Sequence, residues 1–199
     1  MSTLFLLSPA RTDGLRAAQL ARSSTPLGVA LRAGEAALGE VFAWLSALYF
    51  RGKLAYARAF ADAAPGAAAS LVMTPVLGLR DPETPMSAAQ LAAMATMDVK
   101  SDAFAALLRR DAEVVRDQLA ADAQVVLLGS IASDKYVTTL LDVFGERLMF
   151  PSAFIGRGDM SRGGLLLRAS RDGTALAYAP LASATRRGRR PPKLPPLRR

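Results

Sequence analysis

The chain has 199 residues, a length typical of one domain, and its hydrophobic fraction of 51% excludes disorder throughout. It contains neither histidine nor cysteine, which excludes disulfides, the usual zinc sites, and imidazole or thiolate catalysis. Carboxylate sites for magnesium or iron stay open, but no cluster of acids has ligand spacing, so we expect no bound metal and no cofactor. The net charge is +8, and seven of the 25 cations lie from Arg186 onward without a single acid, so the remaining 18 nearly balance the 17 acids.

The first half of the chain begins with an apolar segment of strand length. Residues 3–7 predict a buried strand that Ser8 and Pro9 end, and a helix is predicted over residues 14–22. Apolar residues then recur at helical spacing over residues 29–49, and a further helix is predicted over residues 52–63. This part of the chain therefore indicates a strand followed by several helices.

The middle of the chain repeats the alternation. A strand is predicted at residues 69–74, and Ser87 is placed to cap a short helix. A long amphipathic helix is predicted over residues 102–121, followed by an apolar strand at 124–129 and by a helix that begins near Ser133. Strands alternating with helices are typical of a sheet that has helices on its faces.

The predicted strands of the last part are short. They are residues 147–150, 165–169 and 175–179, with an antiparallel hairpin at the turn-rich sequence SRDGTA. We therefore predict one α/β domain over residues 1–184, with a mixed, partly parallel sheet and helices on its faces.

Residues 185–199 form a basic tail in which prolines alternate with arginines. Proline disfavours both helix and strand pairing, so we expect this tail to be disordered. One interpretation is a clamp on nucleic-acid phosphates, made by the cations Arg186, Arg187, Arg189 and Arg190. The alternatives are a tail that increases solubility and a proline-rich ligand for another domain.

Three polar segments, residues 8–14, 129–136 and 156–164, each adjoin a predicted strand. Such loops meet at one edge of an α/β sheet, where anions bind well, so we expect one shared site. In the third segment Arg157 and Arg162 stand among glycines that would let a ligand approach the backbone, and their guanidinium groups suit phosphate or carboxylate. The alternative is an ordinary loop whose glycines make turns.

The same segments contain the candidate catalytic groups Asp134, Lys135 and Asp159. A carboxylate serves as a general base, and Lys135 with Tyr136 would contact a nucleobase by charge and stacking. Both carboxylates would equally pair with the arginines or cap helices, and Tyr136 would equally lie in the core.

The sequence has no apolar run of about 20 residues, the length that a membrane-spanning helix needs. Its first residues, MSTLFLLSPAR, lack a basic leader with a long apolar segment. We therefore expect a soluble cytoplasmic protein without a membrane partner.

Four short motifs in one order resemble the YaaA-type peroxide-stress proteins. LLSPAR at residues 6–11 is similar to ISPAK, and PVLGLRDPET at 75–84 is loosely similar to GLYGxLRPxD. ASDKY at 132–136 is similar to ASDEY, and RGDMSR at 157–162 to RGLMSR. The chain is shorter than typical members, Lys135 replaces an acid, and residues 23–49 show no helix-hairpin-helix pattern.

The resemblance implies a cytoplasmic protein that binds DNA, including distorted or branched duplex, in a basic cleft and limits oxidative damage. The matched polar residues that would bind DNA or another anion are Ser8, Arg11, Ser133, Tyr136, Arg157, Ser161 and Arg162. We thus expect a DNA-binding stress-protection protein that holds phosphate or a flipped base. The alternatives are a glycosylase-like enzyme acting on a nucleobase or nucleoside with a carboxylate base, and a domain that binds a protein partner.

Overall fold

The computed structural model describes residues 2–62, 68–132 and 134–195, and for Lys135 only the backbone. The strands are β1 (Thr3–Leu7), β2 (Ala36–Ala37), β3 (Ser70–Thr74), β4 (Gly78–Arg80), β5 (Pro85–Met86), β6 (Gln124–Leu128), β7 (Leu148–Pro151) and β8 (Tyr178–Pro180). The helices are α1 (Leu15–Arg22), α2 (Pro26–Ala33), α3 (Leu38–Ser46), α4 (Leu48–Phe60), α5 (Ala88–Met94), α6 (Asp102–Gln118), α7 (Asp134–Phe144) and α8 (Asp159–Asp172).

Six of these strands form one mixed sheet in the order β4-β3-β1-β6-β7-β8. The four central strands are parallel to one another, and β4 and β8 add to the edges in antiparallel orientation. The predicted fold class, an α/β domain with a partly parallel sheet, is confirmed. β2 and β5 pair separately as a two-stranded ribbon.

The strand order reverses direction between β1 and β6. The chain leaves β1 to form β3 on one side, and it later returns to the other side to form β6 and β7. The loops after β1 and β6 therefore diverge and leave a crevice at the carboxyl ends of two neighbouring strands. Open α/β sheets bind their ligands at such a crevice.

Two apolar layers cover the faces of the sheet. One consists of side chains from α1 to α5 and from α8, packed against residues such as Phe5 and Val126. The other consists of α6 and α7, packed against Leu6 and Leu127. Alternating residues of the central strands thus point to opposite layers, and the parallel strands are buried on both faces as their apolar sequences predicted.

The prediction of an antiparallel hairpin over residues 165–179 is wrong, because residues 165–169 belong to α8. Gly173, with φ of 65°, ends that helix in the left-handed conformation. A glycine after a polar residue fits both a hairpin turn and a helix C-cap, since both need a left-handed residue. β8 pairs instead with β7.

Residues 29–49, whose apolar residues recur at helical spacing, do not form one continuous helix. Gly34 ends α2 with φ of 79°, and the strand β2 precedes α3. The helix predicted from residue 52 begins at Leu48, after Ala47, and ends at Phe60. Ala63, its predicted last residue, lies outside the described residues. By contrast, Ser87 caps α5 as predicted, with a hydrogen bond from the Gln90 N–H.

Residues 185–195 of the tail contain neither helix nor strand, and they lie against α7 and α8. Arg186 donates to the Asp134 carboxylate at 2.5 Å, Arg157 to the Pro192 carbonyl at 3.3 Å, and Arg168 to the Pro195 carbonyl. Gly156 has a φ of 71°, and the tail backbone at Gly188 and Arg189 packs against it where another residue would carry its Cβ. Among the described residues, no helix has the length and apolar character needed to cross a membrane.

Candidate functional site

A cavity of about 820 Å³ opens at the crevice between the ends of β1 and β6. Such a volume is typical of sites for small molecules. The loop after β1 contributes residues 8–13, the segment after α5 contributes residues 94–99, and α3 and α4 contribute residues such as Tyr49. Ser130 and Tyr136 line it from the loop after β6 and from α7, and Asp159 lines it from α8.

A buried lysine lies directly behind this lining. Lys53 of α4 is only 1% exposed, and its Nζ donates to the Ser8 carbonyl oxygen at 2.6 Å and to Ser8 Oγ at 2.9 Å. The rings of Tyr49 and Phe50 lie 4.5 and 4.8 Å from the same nitrogen. Ser8 thus separates the amine from the cavity.

Burial lowers the pKa of Lys53 to about 7. Asp159 raises that pKa and Arg162 lowers it, both by charge. Near neutral pH a large fraction of Lys53 is therefore a neutral amine, which is able to accept a proton.

The hydroxyl of Tyr136 is held in place at the edge of the cavity. It accepts a hydrogen bond from the Ser130 N–H at 3.0 Å and donates to the Ser130 carbonyl at 3.1 Å. Burial raises the pKa of Tyr136, and hydrogen bonding to Ser8 and Ser130 offsets part of the rise. Only glycine fits at position 129, because an added Cβ would lie 2.8 Å from that hydroxyl oxygen and 2.9 Å from Ser8 Cβ.

Tyr49 supplies a second hydroxyl beside the cavity. Its oxygen is buried and has no hydrogen-bond partner among the described residues. Burial raises the pKa of Tyr49, and the positive charge of Arg162 opposes this rise. A buried donor without an acceptor is costly, so a ligand oxygen in the cavity would relieve that cost.

Arg162 is a buried part of the fold and does not project into solvent. It is 6% exposed, donates to the Phe154 carbonyl at 3.4 Å, and pairs with Asp159 at 3.4 Å. Its guanidinium lies 5.6 Å from the centre of the Phe154 ring. Arg162 therefore forms an ion pair with Asp159 from outside the cavity lining, and its charge affects the pKa values of neighbouring groups.

Gly163 of the third polar segment serves helix packing. An added Cβ on Gly163 would lie 2.7 Å from the Leu48 carbonyl oxygen and 2.8 Å from Tyr49 Cα. The facing Gly52 would meet the Gly163 carbonyl oxygen at 2.7 Å. The sequence led us to expect that a ligand would approach this backbone closely. In the structure, α4 makes the close approach to α8 instead. This contact brings Arg162 and Lys53 to neighbouring positions.

Other predicted site residues lie away from the lining. Arg157 donates to the Ala153 carbonyl at 3.1 Å and to Ser161 Oγ at 3.1 Å, in addition to its bond to the tail. Asp134 pairs with Arg186. Among the described residues that line the cavity are Ser8, Arg11, Tyr136 and Asp159, whereas Asp134, Arg157, Ser161 and Arg162 are not in that set.

Two predicted residues fall where the structure gives no side-chain information: Ser133 lies outside the described residues, and only the backbone of Lys135 is described. Arg187, Arg189 and Arg190 of the tail are exposed to solvent. Within the described ranges, no group of three or more Asp or Glu side chains is arranged to hold a metal ion.

Lys53 and Tyr49 were not predicted from the sequence, because a lysine within a helix is most often solvated. One signal was present: Tyr49, Phe50 and Tyr56 stand at positions −4, −3 and +3 from Lys53, so they share its helix face. A lysine at the centre of an aromatic face is expected to be buried.

Comparison of the chain with protein-family models, with curated proteins and with solved structures gave no match. Its function is therefore inferred from the cavity and from the charges around it.

Proposed function

We propose that the protein binds DNA, that the cavity receives an extruded base, and that the tail contacts phosphates outside it. The observation that carries the proposal is the position of the first tail cation. Arg186 bonds to Asp134, two residues before Tyr136 of the cavity lining. The basic segment therefore starts at the first turn of α7, the helix whose Tyr136 lines a cavity large enough for a base.

The exposed cations support this arrangement. Arg187, Arg189, Arg190 and Lys193 are exposed along the described tail. Arg11, in the cavity lining, has a side chain that is 82% exposed. Cations of this kind release counterions when they contact the phosphate backbone, which gives affinity without sequence preference.

The charges of the lining favour a neutral base over a phosphate inside the cavity. Asp13, Asp98 and Asp159 line it and outnumber Arg11, the one cation among the described residues of the lining, which lies at the exposed edge and is paired with Asp13 at 2.6 Å. Carboxylates repel phosphate and accept hydrogen bonds from the amino and ring N–H groups of a base. Extruded bases are held in pockets by such bonds. The resemblance to the peroxide-stress proteins adds damaged or branched DNA as the expected target.

The test is binding to duplexes that carry 2-aminopurine in a matched pair, in a mismatch, or beside a branch. We expect fluorescence to rise on binding to the mismatched and branched DNA, because the base leaves the stack. Arg11→Gln should weaken binding to every duplex, since phosphate contacts are independent of sequence. Binding without any change in fluorescence would contradict the role of the cavity, and an absence of retention of all three DNAs would contradict the proposal.

A second candidate is an enzyme that releases a base from DNA or from a nucleoside. It is favoured by Asp159, whose side chain is 67% exposed, lines the cavity and is paired with Arg162. A carboxylate in this position is able to activate water. Base release by the wild type and its loss in Asp159→Asn, with DNA retention unchanged, would establish this activity.

A further inference from the structure

The contact between Ser8 and Lys53 has a geometry that DNA binding does not require. Lys53 Nζ lies 2.9 Å from Ser8 Oγ, and Ser8 lines the cavity while Lys53 is buried behind it. A hydroxyl between a cavity and an amine is in the position of a nucleophile between its substrate and its base.

Burial of Lys53, which is 1% exposed, favours its neutral form. Tyr49 and Phe50 face it from its own helix, Ser8 from the loop after β1, and Asp159 and Arg162 act on it from α8. Arg162 opposes a positive charge on Lys53, and it also pairs with Asp159, the carboxylate that would support such a charge. The amine is thus available as a proton acceptor.

We propose that Ser8 is a nucleophile with Lys53 as its general base, and that the pair acts on a carboxylic ester bound in the cavity. Ser8 Oγ forms a bond to the acyl carbon as its proton passes to Lys53 Nζ. The bond between the acyl carbon and the alcohol oxygen breaks, and the alcohol leaves with the proton from Lys53. Water then attacks the acyl–Ser8 ester, Lys53 takes a proton from it and returns that proton to Ser8 Oγ, and the carboxylic acid is released.

Two features of the lining select a neutral acyl group. Asp13, Asp98 and Asp159 disfavour a charged phosphate ester in the cavity. Tyr49, one helical turn before Lys53, offers a hydroxyl that has no hydrogen-bond partner among the residues that the structure describes, and this group is a donor for the oxygen that becomes negative during attack. Lys53 Nζ lies 2.9 Å from Ser8 Oγ, which is close enough to exchange protons with the alcohol oxygen and with the water that meet the acyl carbon at Ser8.

This inference does not rest on DNA binding, and its test contains no nucleic acid. The full-length protein is treated with a fluorophosphonate probe, whose phosphorus is attacked by activated serine hydroxyls with loss of fluoride. Peptide mass spectrometry then locates the label. We expect it on Ser8, at a rate that rises with pH through about 7 as Lys53 loses its proton.

Lys53→Met removes the base but keeps an apolar side chain of similar length, and it should lower the labelling rate at least tenfold. Lys100→Met is the matched control at an exposed lysine and should label like the wild type. The wild-type result stands alone if Lys53→Met does not fold. No label on Ser8 in the folded wild type, a rate that is flat from pH 5.5 to 8.5, or an unchanged rate in folded Lys53→Met would each overturn the proposal.

Tyr49→Phe tests the oxyanion donor separately. We expect labelling several-fold slower, with thermal stability equal to the wild type or higher, because the variant loses only a hydroxyl that has no hydrogen-bond partner in the described part of the chain. A labelling rate equal to that of the wild type would overturn the role of Tyr49.

Discussion

Lys53 links the chemistry of a single residue to the stability of the fold. Below pH about 7 both the folded and the unfolded chain hold its proton, so the folded state bears the cost of a buried charge. Between about 7 and 10.5 only the unfolded state keeps the proton, so raising the pH favours the folded state.

We therefore predict that the free energy of unfolding rises from pH 7 to 9.5, by on the order of a few kcal/mol. Burial raises the pKa of Tyr49 and Tyr136, which lowers stability only above pH about 10, where unfolded tyrosines ionise. Urea unfolding across this range is the measurement. Lys53→Met should remove most of the rise, and a wild-type profile without any rise would show that Lys53 stays charged when buried.

Arg162 shows where reasoning from residue type falls short. An arginine among glycines at the start of a helix fits a phosphate contact, and it fits equally a buried group that holds a neighbouring carboxylate. Burial decides between the two, and burial depends on the partner helix, which is more than one hundred residues earlier in the chain. Ser8, Arg11, Tyr136 and Asp159 were accessible to prediction because each lies in a polar segment, after β1 or at the start of a helix, whereas Lys53 and Tyr49 reach the site only through helix packing.

At the scale of elements, the crossing of α4 and α8 depends on two glycines in contact. In Gly163→Ala the new methyl would meet backbone atoms of Leu48 and Tyr49, which have no room to move. We predict a loss of stability of roughly 1–3 kcal/mol, even though alanine favours the helix intrinsically. The measurement is the midpoint of urea unfolding.

Gly164→Ala is the matched control in the same helix. Its methyl would make ordinary contacts at 3.5 Å or more with the side chains of Arg168 and Leu194. The gain in helix propensity then dominates, so this variant should equal or exceed the wild type in stability. Equal destabilisation of both variants would mean that the helix tolerates an added side chain at neither position, and that the α4 contact is not the cause.

Helix α8 also shows which kind of element could not be predicted from the sequence. Strands β1, β3 and β6 were predicted because short apolar runs end at polar turns, and the amphipathic α6 was predicted from its helical period. In α8 the run Leu165–Leu167 has no clear period, since one face of the helix packs on α4 through glycines and needs no large apolar side chain. Its sequence therefore fits a strand equally well.

At the scale of the whole molecule, the excess charge lies in the tail. Deleting residues 186–199 removes seven of the 25 cations, and we predict weaker DNA binding with a shallower slope of log affinity against log salt, because fewer counterions are released. Titrations at several salt concentrations measure that slope. A control deletion of residues 196–199 removes two of the seven cations and should change the slope much less. An unchanged slope after the full deletion would exclude the tail from the DNA contact.

The central position of β1 has a consequence for the synthesis of the chain. This strand leaves the ribosome before the other strands of the sheet, yet its two partners are residues 70–74 and 124–128. One edge stays open until residues 70–74 have been made and the other until residues 124–128, and Ser8 at its end meets Tyr136 only when α7 folds. Nascent chains that stop before β6 would expose an apolar strand with unpaired backbone groups, which is the kind of segment that chaperones bind and that aggregates.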